Sequence, residues 1–172
     1  MSVTATQLRA SAKALVRLLE AEGKTLSTAE SCTGGLIAKS VTDIAGSSAV
    51  FCGACVTYTN EMKIDLLGVD PTLIERESEV SLACACAMAE GVKCRLHTDL
   101  AVSTTGYAGP GGGTEADPVG TVYVGLSSVR GTRAFRFSAP AGANRAQVRN
   151  AAALFALELL KKEITGEGIF GE

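Results

Sequence analysis

Residues 25–41 restrict the possible folds of this chain more than any other stretch. A β-prone run, residues 25–29, ends in Glu30 and Ser31, and a helical pattern begins after Gly34 and Gly35. A strand that turns directly into a helix leaves Ser31 at the helix N-terminus, where backbone N–H groups lack intrahelical partners and the macrodipole is positive. Such a position holds a phosphate, or an oxyanion formed when a hydroxyl attacks a carbonyl. Serine is also a favoured N-cap, so simple capping is an equal alternative at this point.

The composition narrows the classes of function. Of the 172 residues, 47% are hydrophobic and 20% are charged, which is typical of a globular protein and suits a single domain over residues 1–172. The net charge is −2 and no basic stripe is present, so we expect no nucleic-acid partner. No apolar run approaches the ~20 residues that span a bilayer, and the N-terminus does not resemble a signal peptide. We therefore expect a soluble, cytoplasmic protein that does not bind membranes.

Helical and β-prone patterns alternate in the first part of the chain, and a hairpin follows in the last part. The first predicted helix covers residues 5–22, and a later one runs from residue 78 or 79 to about 95; four others begin at residues 36, 60, 71 and 144. The predicted strands cover residues 25–29, 49–59, 99–105, 119–129 and 132–138. Apolar residues at both odd and even positions of the second strand predict burial on both of its faces. This order predicts an α/β fold, a three-layer α/β/α sandwich around a mixed sheet.

The six cysteines do not form a recognisable metal site. Cys52 and Cys55 make a CxxC motif, but their odd separation in a strand points their side chains to opposite faces. The chain has one histidine, His97, so metal-ligand spacing is absent and we expect neither a metal nor a cofactor. The cysteines are predicted to be buried, reduced thiols. Cys32 is the exception, because a helix N-terminus would activate its thiol.

A serine nucleophile at a helix N-terminus needs a base. His97 lies between a predicted helix and a strand, which gives little support to a Ser-His-Asp triad. Lysine is the alternative activator, and Lys63 follows a predicted strand end, where sites gather in sheets of this type. On spacing alone, a solvated helix lysine is the simpler interpretation. Residues 105–114 contain five glycines, so this loop can approach a ligand closely, although most such loops are only turns.

Four motifs together resemble the CinA C-terminal domain family, in its order and spacing, over residues 8–165. They are Glu30-Ser31-Cys32-Thr33-Gly34-Gly35-Leu36, Gly46-Ser47-Ser48, Tyr58-Thr59-Asn60-Glu61-Met62-Lys63 and Thr105-Gly106-Tyr107-Ala108-Gly109-Pro110-Gly111-Gly112. We expect the stand-alone form, without the N-terminal molybdopterin-binding-like domain of longer members. The resemblance then implies a nicotinamide-nucleotide amidase, which hydrolyses nicotinamide mononucleotide to nicotinic acid mononucleotide and ammonia in pyridine-nucleotide salvage.

The resemblance also implies a role for particular residues. Ser31 is expected as the nucleophile, Lys63 as its base and Arg145 as a substrate contact. We place the substrate phosphate at Arg145, because a phosphate close to Lys63 would favour its ammonium form. The remaining implied residues are Ser48 and Tyr58 as support, and Thr105 and Gly106 in substrate binding. With the phosphate placed at Arg145, we expect the N–H groups of Thr33, Gly34 and Gly35 to be free to hold the oxyanion. The cationic pyridinium ring is expected to help neutralise Lys63. We further expect a homo-oligomer that needs no cofactor.

The chain departs from the family pattern at two places. Ser78-Glu79-Val80-Ser81 replaces a common Gly-Ala-Val-Ser, and Asp117 replaces a common lysine. We expect the first to lie away from the chemistry and the second to alter the entry to the pocket.

Two other functions stay open from the sequence. In the first, Thr33, Gly34 and Gly35 bind a nucleotide phosphate and nothing is hydrolysed. In the second, Cys32 performs thiol chemistry while Ser31 caps the helix.

Overall fold

Six helices and five strands make up the part of the chain that the computed structural model describes, residues 2–167. In chain order they are α1 (Ala5–Glu22), β1 (Leu26–Glu30), α2 (Leu36–Thr42), a 3-10 turn (Ser47–Ala49), β2 (Phe51–Val56), α3 (Asn60–Leu67), α4 (Pro71–Glu77), α5 (Leu82–Leu96), β3 (Leu100–Gly106), β4 (Thr121–Ser128), β5 (Gly131–Ser138) and α6 (Arg145–Thr165).

The strands form one mixed sheet in the order β2-β1-β3-β4-β5. Strands β2, β1 and β3 are parallel, whereas β4 is antiparallel to β3 and β5 to β4. From β1 the chain goes first to one neighbour, β2, and later to the other, β3. The carboxyl end of β1 is thus a topological switch point, the place where open α/β sheets bind ligands.

Helices cover both faces of the sheet, which confirms the predicted three-layer α/β/α architecture. One apolar cluster joins α1, α2 and α6 to the sheet, with Leu15, Ile37 and Leu157 among its members. A second cluster joins α3, α4 and α5 to the opposite face around Met88 and Val92. Strands β1 and β3 serve both clusters because successive side chains point to opposite faces. In β3, residues 100 and 102 belong to the first cluster and residue 101 to the second.

Helices α1 and α6 begin where the sequence predicts, and α1 also ends there. Thr4 and Gln7 form a capping box at the start of α1, and Gly23 ends that helix in the left-handed conformation. Asn144 and Gln147 form the same box at the start of α6. These caps satisfy backbone groups that would otherwise lack partners.

Three predicted features are wrong. Strand β2 is an edge strand whose exposure alternates along the chain, so it is not buried on both faces. Helix α5 begins at Leu82, because Ser81 is its N-cap and residues 78–81 form a connecting turn. The cysteines are all free, but Cys52 and Cys94 are exposed, contrary to the prediction of buried thiols.

Candidate active site

A cleft of about 350 Å³ lies at the carboxyl ends of the parallel strands β1, β2 and β3. This volume falls in the usual range for small-molecule sites, about 300–1,000 Å³. The cleft is lined by Ser31, Cys32, Tyr58, Thr59, Asn60, Lys63, Glu79, Val80, Thr105, Gly106, Tyr107, Ala108 and Arg145. Six residues predicted from separate motifs are therefore brought together: Ser31, Lys63, Tyr58, Thr105, Gly106 and Arg145.

Ser31 follows β1 directly and opens a tight turn into α2. Its N–H donates to the Thr104 carbonyl of β3, and its own carbonyl accepts from the Gly34 N–H at 3.0 Å. Gly34 and Gly35 have φ angles of 60° and 89°, a region that strains residues with a Cβ. The N-cap of α2 is Gly35, so the alternative that Ser31 merely caps the helix is wrong.

The carboxylate of Glu30 occupies the N-terminal end of α2. It accepts hydrogen bonds from the N–H groups of Ile37 at 3.1 Å and Ala38 at 2.8 Å, and from the Thr33 hydroxyl at 2.7 Å. Glu30 is fully buried, so its carboxylate accepts the otherwise unpaired N–H groups in the first turn of α2 from inside the protein. A phosphate at the same helix end would face a carboxylate. The arrangement therefore opposes the alternative of a phosphate-binding module at residues 33–35.

The turn residues predicted as oxyanion donors do not line the cleft. The Gly34 N–H is engaged with Ser31, so it is not free as predicted. The Thr33 carbonyl accepts from the Arg149 guanidinium at 2.6 Å and 3.2 Å, which fastens the turn to α6. Gly35 is the N-cap of α2. Ser48 lies exposed on the 3-10 turn and outside the cleft lining, so its predicted supporting contact is absent from this structure.

Lys63 lies on α3 with its amine directed at Ser31. The Lys63 Nζ donates to the Thr57 carbonyl at 3.3 Å and lies 3.5 Å from the Ser31 Oγ. The latter is a long hydrogen bond, as catalytic contacts often are before substrate binds. Lys63 is only 1% exposed, and burial lowers the pKa of its ammonium. The interpretation of Lys63 as a solvated helix lysine is therefore wrong.

Cys32 is unsuited to thiolate chemistry. Burial raises the pKa of the Cys32 thiol to about 12, and this effect outweighs the nearby backbone N–H groups that lower it. At neutral pH the thiol is almost entirely protonated, and the thiolate is the reactive form. The predicted activation of Cys32 by a helix N-terminus is wrong, because burial of the thiol, with a smaller effect of the Glu30 charge, raises its pKa.

Arg145 and Tyr58 form the outer part of the cleft. The Arg145 guanidinium donates to the Tyr58 hydroxyl at 2.6 Å and to the Gly109 carbonyl at 2.7 Å. These bonds bring the first turn of α6 to the glycine-rich loop and to the segment that follows β2. Tyr58 is 57% exposed, so this end of the cleft is open to solvent.

Thr105 and Gly106 end β3 at the cleft floor. The Thr105 hydroxyl donates to the Glu79 carbonyl at 2.6 Å, so it holds a neighbouring segment. A Cβ on Gly106 would lie 2.5 Å from the Thr121 carbonyl oxygen of the adjacent strand. The glycine at position 106 is thus required by strand packing.

Neither departure from the family pattern lies where the sequence predicted it. Glu79 lines the cleft and its charge acts on Lys63, so the expectation that it lies away from the chemistry is wrong. Asp117 accepts from the Tyr123 hydroxyl at 2.7 Å and pairs with Arg136 at 3.2 Å, outside the cleft lining. The sequence pattern predicts a helix start at residues 78 and 79, so it does not predict Glu79 as part of the site. The N-cap signal of Ser81 is the feature that would have placed them in a turn.

Other features of the described chain do not add to this site. Within residues 2–167, no group of three or more His, Cys, Asp or Glu side chains is placed to hold a metal ion. In the same range no helix is long and apolar enough to cross a bilayer. His97 ends α5 and lines a different cavity. A larger, mostly apolar cavity of about 620 Å³ lies between β5, α6 and the N-terminal residues.

The fold and the cleft define a class: an α/β/α domain with a serine and a buried lysine paired at the switch point of parallel strands. The chain belongs to the CinA C-terminal domain family, which matches residues 8–164. The resemblance predicted from four motifs is thereby confirmed.

Relatives and solved structures agree with this assignment. The chain is 46% identical to a CinA-like protein of Thermosynechococcus vestitus over 87% of its length, and 49% identical to one of Mycolicibacterium gilvum over 85%. These matches cover 36% and 34% of the relatives, so the chain spans about a third of their length. It is similar to the competence/damage-inducible protein CihA of Agrobacterium tumefaciens, with a TM-score of 0.89, 38% identity and coverage of 96% and 99% of the two chains. A CinA superfamily protein of Escherichia coli gives a TM-score of 0.87 at 30% identity, with coverage of 95% and 94%.

Proposed function

We propose that this domain hydrolyses the carboxamide of nicotinamide mononucleotide to nicotinic acid mononucleotide and ammonia, with Ser31 as nucleophile and Lys63 as base. The observation that carries the proposal is the contact between the Ser31 hydroxyl and the amine of a lysine that is only 1% exposed. A buried amine with a lowered pKa is better suited than a solvated lysine to accept a hydroxyl proton. The same contact has no evident use in a protein that only binds a ligand.

The first half of the reaction forms an acyl-enzyme. The neutral Lys63 takes the Ser31 proton as the Ser31 Oγ bonds to the carboxamide carbon, and the carbonyl oxygen becomes an oxyanion. The new ammonium of Lys63 lies beside this negative charge and stabilises it electrostatically. When the C–N bond breaks, Lys63 returns the proton to the leaving nitrogen, and ammonia departs. Dividing amide hydrolysis into two acyl transfers lowers each barrier.

The second half repeats the chemistry with water. Lys63 accepts a proton from the water molecule as the hydroxide oxygen bonds to the acyl carbon. The C–O bond to Ser31 then breaks, and Lys63 protonates the serine oxygen. The products are nicotinic acid mononucleotide and the regenerated pair. Every proton moves through one amine, so no metal or cofactor is needed.

The charges of the cleft suit the two ends of this substrate. A pyridinium cation near Lys63 disfavours the ammonium and so helps to keep the base neutral. The substrate phosphate would have the opposite effect if it lay close, so we place it at the outer end beside Arg145. A guanidinium can hold a phosphate by two parallel hydrogen bonds. In the cell this reaction would serve pyridine-nucleotide salvage.

Release of ammonia from nicotinamide mononucleotide tests the proposal directly. The wild-type protein should release ammonia, and Ser31→Ala should reduce kcat/KM by three or more orders of magnitude, since the acyl-enzyme cannot form. Cys32→Ala is the matched control, because it removes the adjacent nucleophile and should retain most activity. Circular dichroism checks that both variants are folded.

Two outcomes would overturn the mechanism. Near-normal turnover by Ser31→Ala would exclude Ser31 as nucleophile. An inactive Cys32→Ala beside an active Ser31→Ala would restore the thiol alternative.

A further inference from the structure

The turn between α4 and α5 places a carboxylate in the same cleft as the serine–lysine pair. Glu79 is half-buried and lines the cleft together with Ser31 and Lys63. Its backbone carbonyl accepts a hydrogen bond of 2.6 Å from the Thr105 hydroxyl. This bond fixes Glu79 to the end of β3, on which the cleft is built.

Further hydrogen bonds hold the turn in place. The Ser78 hydroxyl donates to the Glu79 carboxylate at 3.3 Å and accepts from the Val80 N–H at 3.2 Å. The Ser81 hydroxyl donates to the Ser78 carbonyl at 2.9 Å and accepts from the Cys84 N–H at 3.0 Å, which joins the turn to α5. Val80 packs into a small buried cluster. The carboxylate is therefore presented by a fixed segment and not by a free loop.

Glu79 is the only carboxylate among the residues of the described chain that line the cleft. The other acidic groups that act on Lys63 are Glu61, which is exposed at the start of α3, and the thiols of Cys32 and Cys84. Burial raises the pKa of these thiols to about 12 and about 11, so both are neutral at physiological pH. The fixed charges of the cleft are thus the Glu79 carboxylate near the reacting pair and the Arg145 guanidinium at the outer end.

We propose that Glu79 is a specificity-determining residue, which binds the cationic ring of the substrate and selects N-substituted pyridinium carboxamides over neutral amides of the same shape. The inference rests on the proposed function, since it takes the reacting amide to lie at Ser31. An aromatic cation placed between the reacting pair and Glu79 would have its charge opposed by a carboxylate, while its phosphate would meet Arg145. A neutral ring would leave Glu79 without that partner.

This arrangement also links substrate binding to the state of the base. Without substrate, the Glu79 charge raises the pKa of Lys63 and so opposes the effect of burial. A bound cation offsets the Glu79 charge, and the Lys63 ammonium then loses its stabilisation and releases its proton more readily. The base would become neutral most readily when a charged substrate is present.

Binding measured in a Ser31→Ala protein tests the selection without turnover. The two probes are nicotinamide mononucleotide, whose ring is cationic, and its dihydro form, whose ring is neutral. Adding Glu79→Gln should weaken binding of the cationic probe about five- to tenfold, the effect of a partly desolvated charge pair, and change the neutral probe less than about twofold. Glu75→Gln, at an exposed carboxylate of α4 outside the cleft, should change neither. Glu79→Asp keeps the charge and should retain the preference for the cation.

The pH profile gives an independent measurement when Ser31 is intact. Removing the Glu79 charge lowers the pKa of Lys63 in the free protein, so Glu79→Gln should move the acid limb of kcat/KM to lower pH. Equal weakening of both probes, unchanged binding of the cation, or an unmoved acid limb would overturn the inference. If the cation binds with the expected selectivity but the wild type releases no ammonia, the proposed function fails and the selection stands. If the wild type is active while Glu79→Gln binds normally, the selection fails and the proposed function stands. Absence of both ammonia release and binding overturns both.

Discussion

Lys63 is held between two opposing influences, burial and neighbouring negative charge. Burial removes water from the amine and lowers its pKa, whereas Glu79 and Glu61 act in the opposite direction. The net effect is a lowered pKa, so desolvation is the larger influence. The hydrogen bond to the Thr57 carbonyl orients the amine in either protonation state, because both forms can donate.

Replacement of Lys63 by arginine separates a base from a charge contact. A guanidinium stays protonated in proteins, so Lys63→Arg should lose about as much activity as Lys63→Met, by about 10²–10⁴-fold in kcat/KM. In the wild type, kcat/KM should rise with pH as Lys63 loses its proton, with an apparent pKa below that of a free lysine. The measurement is ammonia release across the pH range for the three proteins. A Lys63→Arg protein with most of its activity would show that Lys63 acts only through its charge.

The sequence predicted that Ser31 and Lys63 lie together, but it missed Glu79 in the cleft and misplaced Ser48. Ser31 and Lys63 each follow a predicted strand, and the carboxyl ends of parallel strands meet at one edge of a sheet. Glu79 could not be placed from its neighbours, because its position depends on a hydrogen bond from Thr105, 26 residues further along the chain. Ser48 was assigned through a motif alone, and no local pattern shows which way a 3-10 turn presents its side chains.

At the level of elements, the β1–α2 junction carries Ser31, the proposed nucleophile, and Glu30 holds that junction together. Its carboxylate takes two backbone N–H groups of α2 and the Thr33 hydroxyl, while the backbone carbonyl of Glu30 accepts from the Thr57 N–H at 2.8 Å. One buried residue therefore links a strand, a helix and the segment that leads to Lys63. The sequence predicted a helix N-terminus here that could bind an anion. In the structure, the anion at this terminus is the Glu30 carboxylate of the protein itself.

Glu30→Gln should loosen this junction. A glutamine side chain offers one acceptor oxygen in place of two and directs an NH₂ group at donors, so buried N–H groups lose their partner. We expect a loss of about 1–3 kcal/mol in the free energy of unfolding, with a lower kcat because Ser31 is displaced. Urea denaturation measures the first effect and ammonia release the second. Glu75→Gln is the exposed control, and a Glu30→Gln protein as stable as the wild type would contradict this role.

The burial of strand β2 was predicted incorrectly because β2 lies at the edge of the sheet. Its run of small and apolar residues is typical of a strand covered on both faces. Among the strands of residues 2–167, β2 pairs only with β1, and Cys52, Ala54 and Val56 are exposed. The order of strands in a sheet is a non-local property, and hydrophobicity within one strand does not determine it. The alternation of strands with helices is local, which is why the layer architecture was predicted correctly.

For the whole molecule, the two apolar clusters share one sheet. Leu157 of α6 lies in the cluster on one face and Met88 of α5 in the cluster on the other, and both side chains are fully buried. Because β1 and β3 contribute to both clusters, loss of either cluster removes support from the other. We therefore propose that the chain unfolds as the single domain predicted from its sequence.

Truncation of either cluster should weaken the entire molecule. Leu157→Ala and Met88→Ala should each lower the free energy of unfolding by about 2–5 kcal/mol, whereas Val129→Ala, at a site 92% exposed, should have little effect. In urea, far-UV circular dichroism and the fluorescence of the three tyrosines should give coincident transitions for all four proteins. Separate transitions, or a variant that melts one face while the other persists, would contradict a single domain. A midpoint that rises with protein concentration would support the predicted homo-oligomer, because dissociation then accompanies unfolding.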